Sequence, residues 1–316
     1  MEPSGHPAPV RPVRRRLRGL AVRAAIALAG LAALCVAGVN CAGSRAVRRY
    51  EAATPRDPQT GVIVGAEPVR IDRGRKAACL LLHGWICTPA DYGALPQALD
   101  AAGWDVYCPL QLGHGTTPRD LRGVTADRLL AHARQHYAAV RRRYQRVVLV
   151  GFSMGGAMAA MLAAEHPPDR LVLVAPFCGV RHRWYYLLPA HWWDALVTPL
   201  VRYVPRPAGS ISCHRPEGRK AILSYGAFPT DASHALFRLR SRLLRDTPLA
   251  RLTMPTLLVY STGDDACSPK AIDAFGQRLP AQPKRVTVFT DSGHHLFHDH
   301  DREQAIAAVV EFVGKP

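Results

Sequence analysis

The residues best suited to chemistry lie in Gly151-Phe152-Ser153-Met154-Gly155-Gly156, where a serine stands between glycines two positions away on either side. A serine hydroxyl becomes a nucleophile when a base takes its proton and a carboxylate holds that base in the right tautomer. Both partners occur downstream. Asp264-Asp265 follows the apolar run 256–260, and His294-His295 follows the run 285–289. A serine, an acid and a histidine in that order suit acyl transfer. The glycines have no Cβ, so a strand and a helix can pass close to the serine on both sides. The amide of Met154, at the start of the expected helix, points where an oxyanion would form. The plainer reading of the same residues is a glycine-rich turn whose serine caps a helix.

The flanking segments favour the catalytic reading. Val147-Val148-Leu149-Val150 reads as a buried strand and the alanine-rich stretch 157–166 as a helix. Upstream, short strands are expected at 62–64 and 69–71. Further strands are expected at 77–82, 104–108 and 171–175, with helices at 91–101 and 125–144 and Thr125 as the N-cap of the second. Unbroken apolar strands alternating with helices predict a mostly parallel α/β sheet, doubly wound and covered on both faces. The alternation stops after Pro176 and resumes near Met254, with strands at 256–260 and 285–289 and helices at 268–279 and 301–313. Residues 178–250 therefore read as an inserted cap, with a helix at 232–244 and the aromatics Trp184, Tyr185, Tyr186, Trp192, Trp193 and Tyr203. In open parallel sheets, functional groups gather at the carboxyl ends of the strands. Ser153, the two aspartates and the two histidines all fall at such ends.

With 316 residues the chain is long enough for one large domain plus an insertion. The formal net charge is +17, and residues 1–49 hold nine arginines against one glutamate, a net of +8. No nucleic-acid-binding motif accompanies that charge, so nucleic acid is not expected as a partner. Residues 1–23 form a basic segment, and residues 24–43 form an apolar stretch that reads as a signal-anchor or a cleaved signal peptide. Cys41 leaves a lipoprotein open as a third reading. The basic flank precedes the apolar stretch, which puts the body outside the cytoplasm. Residues 44–60 read as a linker and 61–316 as the folded domain. None of the eight cysteines has C-x-x-C spacing, so no zinc site is expected, and His298-Asp299-His300 lacks an evident further ligand.

Beyond these readings the chain resembles the α/β-hydrolases of the carboxylesterase and monoacylglycerol-lipase type, from about Glu67 to the C-terminus. The resemblance rests on Leu80-Leu81-Leu82-His83-Gly84-Trp85, Gly113-His114-Gly115, Gly151 to Gly156, Pro255 to Asp265, and Ser292-Gly293-His294. Tyr225 to Pro229 and Leu236 to Leu244 add to it. It implies the α/β-hydrolase fold with a cap. It also implies Ser153 as nucleophile, His294 as base, and the amides of Trp85 and Met154 as the oxyanion hole. Asp265 is the implied acid, chosen over Asp264 because Pro269 follows it at the family's spacing; Asp264 stays open. A serine at position 153 excludes the relatives on this fold that use a carboxylate nucleophile. The expected substrate is a small-molecule ester, which includes lipid esters, and no cofactor is called for. Thioesterase, acyltransferase or peptidase chemistry on the same residues remains open, as does a membrane-anchored binding protein without turnover.

Overall fold

The computed structural model describes residues 11–181, 187–206 and 208–316. Trp184, Tyr185 and Tyr186 of the aromatic cluster lie outside the described residues.

The chain begins with a long helix, α1 (Arg11–Ala53). Strand β1 (Val69–Ile71) and the fully buried β2 (Ala77–Leu82) follow. A short 3₁₀ turn (Pro89–Tyr92) leads to α2 (Leu95–Ala101) and β3 (Asp105–Cys108). Next come α3 (Ala126–Arg143), β4 (Arg146–Phe152), α4 (Met154–Glu165) and β5 (Arg170–Val174). Thr125 caps α3 as its sequence suggests, its side chain accepting from the Arg128 amide. The segment expected as a strand at 62–64 makes only an isolated bridge, between Arg56 and Ile63.

After β5 the chain leaves the sheet for α5 (Ala190–Val197), β6 (Tyr203–Pro205), α6 (Pro216–Ala221), β7 (Ala227–Pro229) and α7 (Thr230–Arg245). It returns as β8 (Thr256–Ser261), α8 (Pro269–Gln277), β9 (Lys284–Phe289) and α9 (Arg302–Val313). Among the described residues, seven strands form one sheet in the order β1-β3-β2-β4-β5-β8-β9, while β6 and β7 pair with each other. All neighbours in the large sheet are parallel except β1 and β3. Strands β2, β4, β5 and β8 are buried almost throughout, which is why their sequences are continuous apolar runs rather than alternating ones. Parallel strands share one carboxyl edge, so the loops after β2, β4, β5, β8 and β9 emerge together.

The expected linker at 44–60 is a correction. Its first part is helical, because α1 runs unbroken to Ala53. Gly43, Val47 and Tyr50 fall on one helical face, and that face is held by the segment between β5 and β8. A Cβ on Gly43 would stand 2.2 Å from the Tyr203 carbonyl oxygen, Val47 is buried, and the Tyr50 ring meets Tyr225 edge-on at 5.7 Å. Glu51 pairs with Arg119 at 2.8 Å. Higher up the helix, the Asn40 amide donates to the Leu200 carbonyl at 2.9 Å and accepts from the Arg202 amide at 2.7 Å. The reason the helix persists is tertiary: without strands β6 and β7, residues 44–53 have little apolar surface to bury.

Candidate active site

Ser153 sits between the last residue of β4 and the first of α4 with φ +54 and ψ −116, a backbone conformation rarely taken by a residue with a side chain. The residues two positions away on either side are glycines because nothing larger fits. A Cβ on Gly151 would approach the Gly155 carbonyl oxygen to 2.3 Å, and one on Gly155 would approach the Leu82 carbonyl oxygen to 1.8 Å. The turn is tied down on both sides, the Ser153 amide donating to Val174 and its carbonyl accepting from Ala157 and Phe177. The cost of the positive φ is thus borne by a packed surround that leaves the chain no alternative.

Gly84 comes so near that a Cβ there would lie 3.2 Å from Ser153 Cβ. The loop after β2 therefore passes beside the serine and carries the Trp85 amide with it. His83 shapes this loop. Its Nε2 accepts from the Gln111 amide at 2.8 Å, so its Nδ1 is the protonated nitrogen and donates to the Gly84 carbonyl at 2.9 Å. Burial pushes the His83 pKa down to about 4, which keeps this arrangement neutral. The Trp85 indole packs edge-on against Phe228 of β7, centroids 4.7 Å apart. Met154 opens α4, where the first amides of a helix lack intrahelical partners.

The loops after β8 and β9 meet through His294 and Asp264. His294 Nδ1 lies 2.6 Å from Asp264 Oδ2, and both side chains are buried. The other oxygen of Asp264 accepts from the amides of Ala266 and Cys267 at 2.7 and 2.8 Å. Burial alone would lower the pKa of His294; the adjoining Asp264 carboxylate and, after it, Cys267 outweigh burial and raise the pKa well above the ordinary value.

Asp264 therefore holds the place that the family spacing assigned to Asp265. The Asp265 side chain is 45% exposed and stands 3.8 Å from Arg181, away from the histidine. The two aspartates lie in the turn just after β8, and Asp264 is the one bonded to the histidine. Gly263 lets this turn press close to the histidine loop, since a Cβ there would meet the Ser292 carbonyl at 2.6 Å. Asp265 contributes through its backbone. Its amide and that of His294 both donate to Ser212 Oγ at 3.0 Å.

Ser212 was not legible in the sequence, since a lone serine in an irregular segment carries no signal. In the sequence Asp299 stands out only as the middle of His298-Asp299-His300. It is fully buried, and its carboxylate accepts from the amides of Gly293, His214, Arg215 and His300. With both oxygens so occupied, it organises the histidine loop rather than holding an ion. His298 Nε2 meets the Ala90 carbonyl at 2.8 Å.

Ser153, Trp85 and His294 line one cavity of about 790 Å³. Its walls are largely apolar, with Phe177, Val180, Trp193, Val197, Leu236 and Phe237 among them, and much of that surface comes from the segment between β5 and β8.

The sequence matches the family described as serine aminopeptidase, S33, over residues 73–301, well over half of the chain. The chain belongs to this α/β-hydrolase family. Among this hydrolase's relatives is the thermostable monoacylglycerol lipase of Bacillus sp. (strain H-257), 28% identical over 81% of this chain and 98% of its own length. The carboxylesterase of Bacillus subtilis is 22% identical, over 80% and 98% respectively. In three dimensions the hydrolase is similar to a structure described under LipS and LipT, two metagenome-derived lipolytic enzymes, with TM-score 0.70, 22% identity and 79% and 97% of the two chains covered. It is also similar to the Paleococcus ferrophilus monoacylglycerol lipase, with TM-score 0.66, 18% identity and 78% and 97% covered. The matches share the α/β-hydrolase fold, in which the mostly parallel sheet and its flanking helices carry the loops described above.

Proposed function

We propose that this hydrolase cleaves carboxylic esters with an apolar acyl chain, lipid monoesters included, by two-step acyl transfer to water. The observation that carries the reading is the 2.6 Å contact between His294 and Asp264 at the wall of an apolar cavity that also holds Ser153. Asp264 fixes the tautomer of His294, and in its neutral form His294 takes the Ser153 proton through Nε2 as Oγ attacks the ester carbonyl. The amides of Trp85 and Met154 stabilise the oxyanion. His294 then protonates the departing alcohol, and water repeats the sequence on the acyl-enzyme. The named relatives, a monoacylglycerol lipase and a carboxylesterase, support ester over amide bonds, although the family description names a peptidase. The apolar walls point the same way, since a peptide backbone brings polar groups that these walls leave without partners.

The same proposal places the body on the far side of a membrane, tethered by α1. The part of this helix from Arg18 onward holds an 18-residue window of mean hydropathy 2.2 with none of it buried. The packing of Gly43, Val47 and Tyr50 against the body favours a retained anchor over a cleaved leader. The test is hydrolysis of a p-nitrophenyl ester chain-length series by the full chain in detergent, with a fluorophosphonate probe alongside. Labelling at Ser153 and a preference for medium or long acyl chains are expected. Absence of both labelling and turnover would return the chain to a binding role.

A further inference from the structure

A second group of buried, chemistry-bearing side chains stands on the same cavity wall, and acyl transfer does not use it. Cys87 follows the Trp85 loop, Asp91 lies in the 3₁₀ turn Pro89–Tyr92, and His295 follows the base. All three are buried, and Cys87 and His295 line the cavity. Their sulfur, one carboxylate oxygen and one ring nitrogen lie within 4.8 Å of one another. Asp91 Oδ1 is 3.6 Å from His295 Nδ1, too far for a hydrogen bond. Neither Asp91 oxygen nor His295 Nδ1 has a hydrogen-bond partner among the described residues. A fully buried carboxylate without a well-formed hydrogen bond to either oxygen is among the costliest groups a protein can bury.

We propose that Cys87, Asp91 and His295 bind one divalent cation of the zinc type. Zinc accepts thiolate, imidazole and carboxylate together, at bond lengths of about 2.0–2.3 Å. Tetrahedral geometry at those lengths sets neighbouring ligand atoms roughly 3.3–3.8 Å apart. The Asp91–His295 separation of 3.6 Å falls in that range. A thiolate in the set disfavours magnesium and calcium, which seek oxygen alone. On binding, the Cys87 S–H bond breaks, its proton leaves to solvent, and the sulfur electron pair goes to the metal; no oxidant or reductant is involved. Thiolate and carboxylate together balance the charge of the ion.

Asp264, Cys267 and His294 also lie within 4.8 Å of one another. That group differs in one respect: both Asp264 oxygens already accept hydrogen bonds, from the Ala266 and Cys267 amides and from His294. The orphaned carboxylate is at Asp91. An ion there would join the loop bearing the Trp85 amide to the loop bearing His294 and leave a fourth coordination position toward the cavity. Its binding is measured without turnover, so the proposal stands or falls apart from the ester reading.

The experiment uses the full chain in detergent, stripped by chelation and titrated with Co²⁺, then with competing Zn²⁺. One equivalent of Co²⁺ should bind and give a thiolate-to-cobalt charge-transfer band, and Zn²⁺ should abolish the band. Cys87→Ser should remove the band, Asp91→Asn should weaken binding by about tenfold or more, and Cys267→Ser should leave both unchanged. Metal-free melting of each variant shows that it is folded. Should Cys87→Ser not fold, the unsubstituted protein still decides the matter, because one equivalent of Zn²⁺ should raise its Tm and protect one thiol from alkylation at Cys87. The proposal is overturned if no saturable one-equivalent binding occurs, if the band survives in folded Cys87→Ser, or if only Cys267→Ser removes it.

Discussion

Serine hydroxyls do not ordinarily attack esters, so Ser153 depends on the groups that surround it. Ser153→Ala should lower kcat by on the order of 10⁴ or more while leaving the residual rate due to the oxyanion amides. Steady-state kinetics on a soluble p-nitrophenyl ester reads this directly, and near-normal turnover would rule out the serine mechanism. The two neighbouring aspartates should separate sharply. Asp264→Asn deprives His294 of the carboxylate 2.6 Å away and should cost on the order of 10³–10⁴ in kcat. Asp265→Asn alters a half-exposed carboxylate that stands 3.8 Å from Arg181, while His294 bonds to Asp264 instead. It should change kcat by about fivefold or less, in keeping with the small worth of surface ion pairs. The opposite ranking would restore the assignment read from the family's spacing.

Among the elements, the turn between β4 and α4 tolerates least. Gly155→Ala would drive a methyl group to 1.8 Å from the Leu82 carbonyl, so β2 and α4 must separate. The loss of stability should reach or exceed the upper end of overpacking, about 3 kcal/mol, read as a fall in denaturation midpoint. The C-terminal turns of α1 are the other informative element. Val47 and Tyr50 bury side chains against the β6–β7 ribbon and Tyr225. A chain starting at Thr54 loses both contacts, roughly 2–4 kcal/mol of burial. It should melt about 5–10 °C below a chain starting at Ala42. Equal melting temperatures would show that the helix merely rests on the body.

On the scale of the whole molecule, the apolar part of α1 ends beside a group of exposed apolar side chains on the body. Asn40 bonds to the backbone at Leu200 and Arg202, while Trp192, Leu196 and Leu200 are 58%, 54% and 60% exposed. The neighbouring Trp193 lines the cavity. With α1 as the proposed anchor, the bilayer would lie against α5, which also contributes Trp193 and Val197 to the cavity wall. Tryptophan favours that interface, and the arginines nearby suit anionic head groups. The chain starting at Ala42 should bind vesicles containing anionic lipid, and Trp192→Asp with Leu200→Asp should weaken that binding. Because neither residue lines the cavity, hydrolysis of a short soluble ester should hardly change. Loss of activity on every substrate alike, with no vesicle binding, would assign these residues to packing instead.

Much of the architecture is local enough to be written in the chain. The apolar runs at 77–82, 147–150, 171–175 and 256–260 are strands because a parallel sheet covered on both faces needs continuous hydrophobic residues. The elbow is legible because Gly151 and Gly155 are the only residue type that lets backbone pass at 2 Å from where a Cβ would be. The order Ser153, aspartate, His294 follows from which strand each loop leaves. The choice between Asp264 and Asp265 was not legible. Both follow the same strand, and which carboxylate turns inward depends on how the turn after β8 packs on the loop after β9. Likewise Ser212, Asp299 and the Cys87–Asp91–His295 group carry no spacing signal, because loops far apart in the chain bring their partners to them. Residues 44–53 looked like a linker for the same reason: the surface that makes them a helix belongs to strands more than a hundred residues away. Periodicity and backbone sterics act within a few residues and can be read one segment at a time. Which side chain faces which, across two loops, is settled only when the sheet puts those loops at one edge.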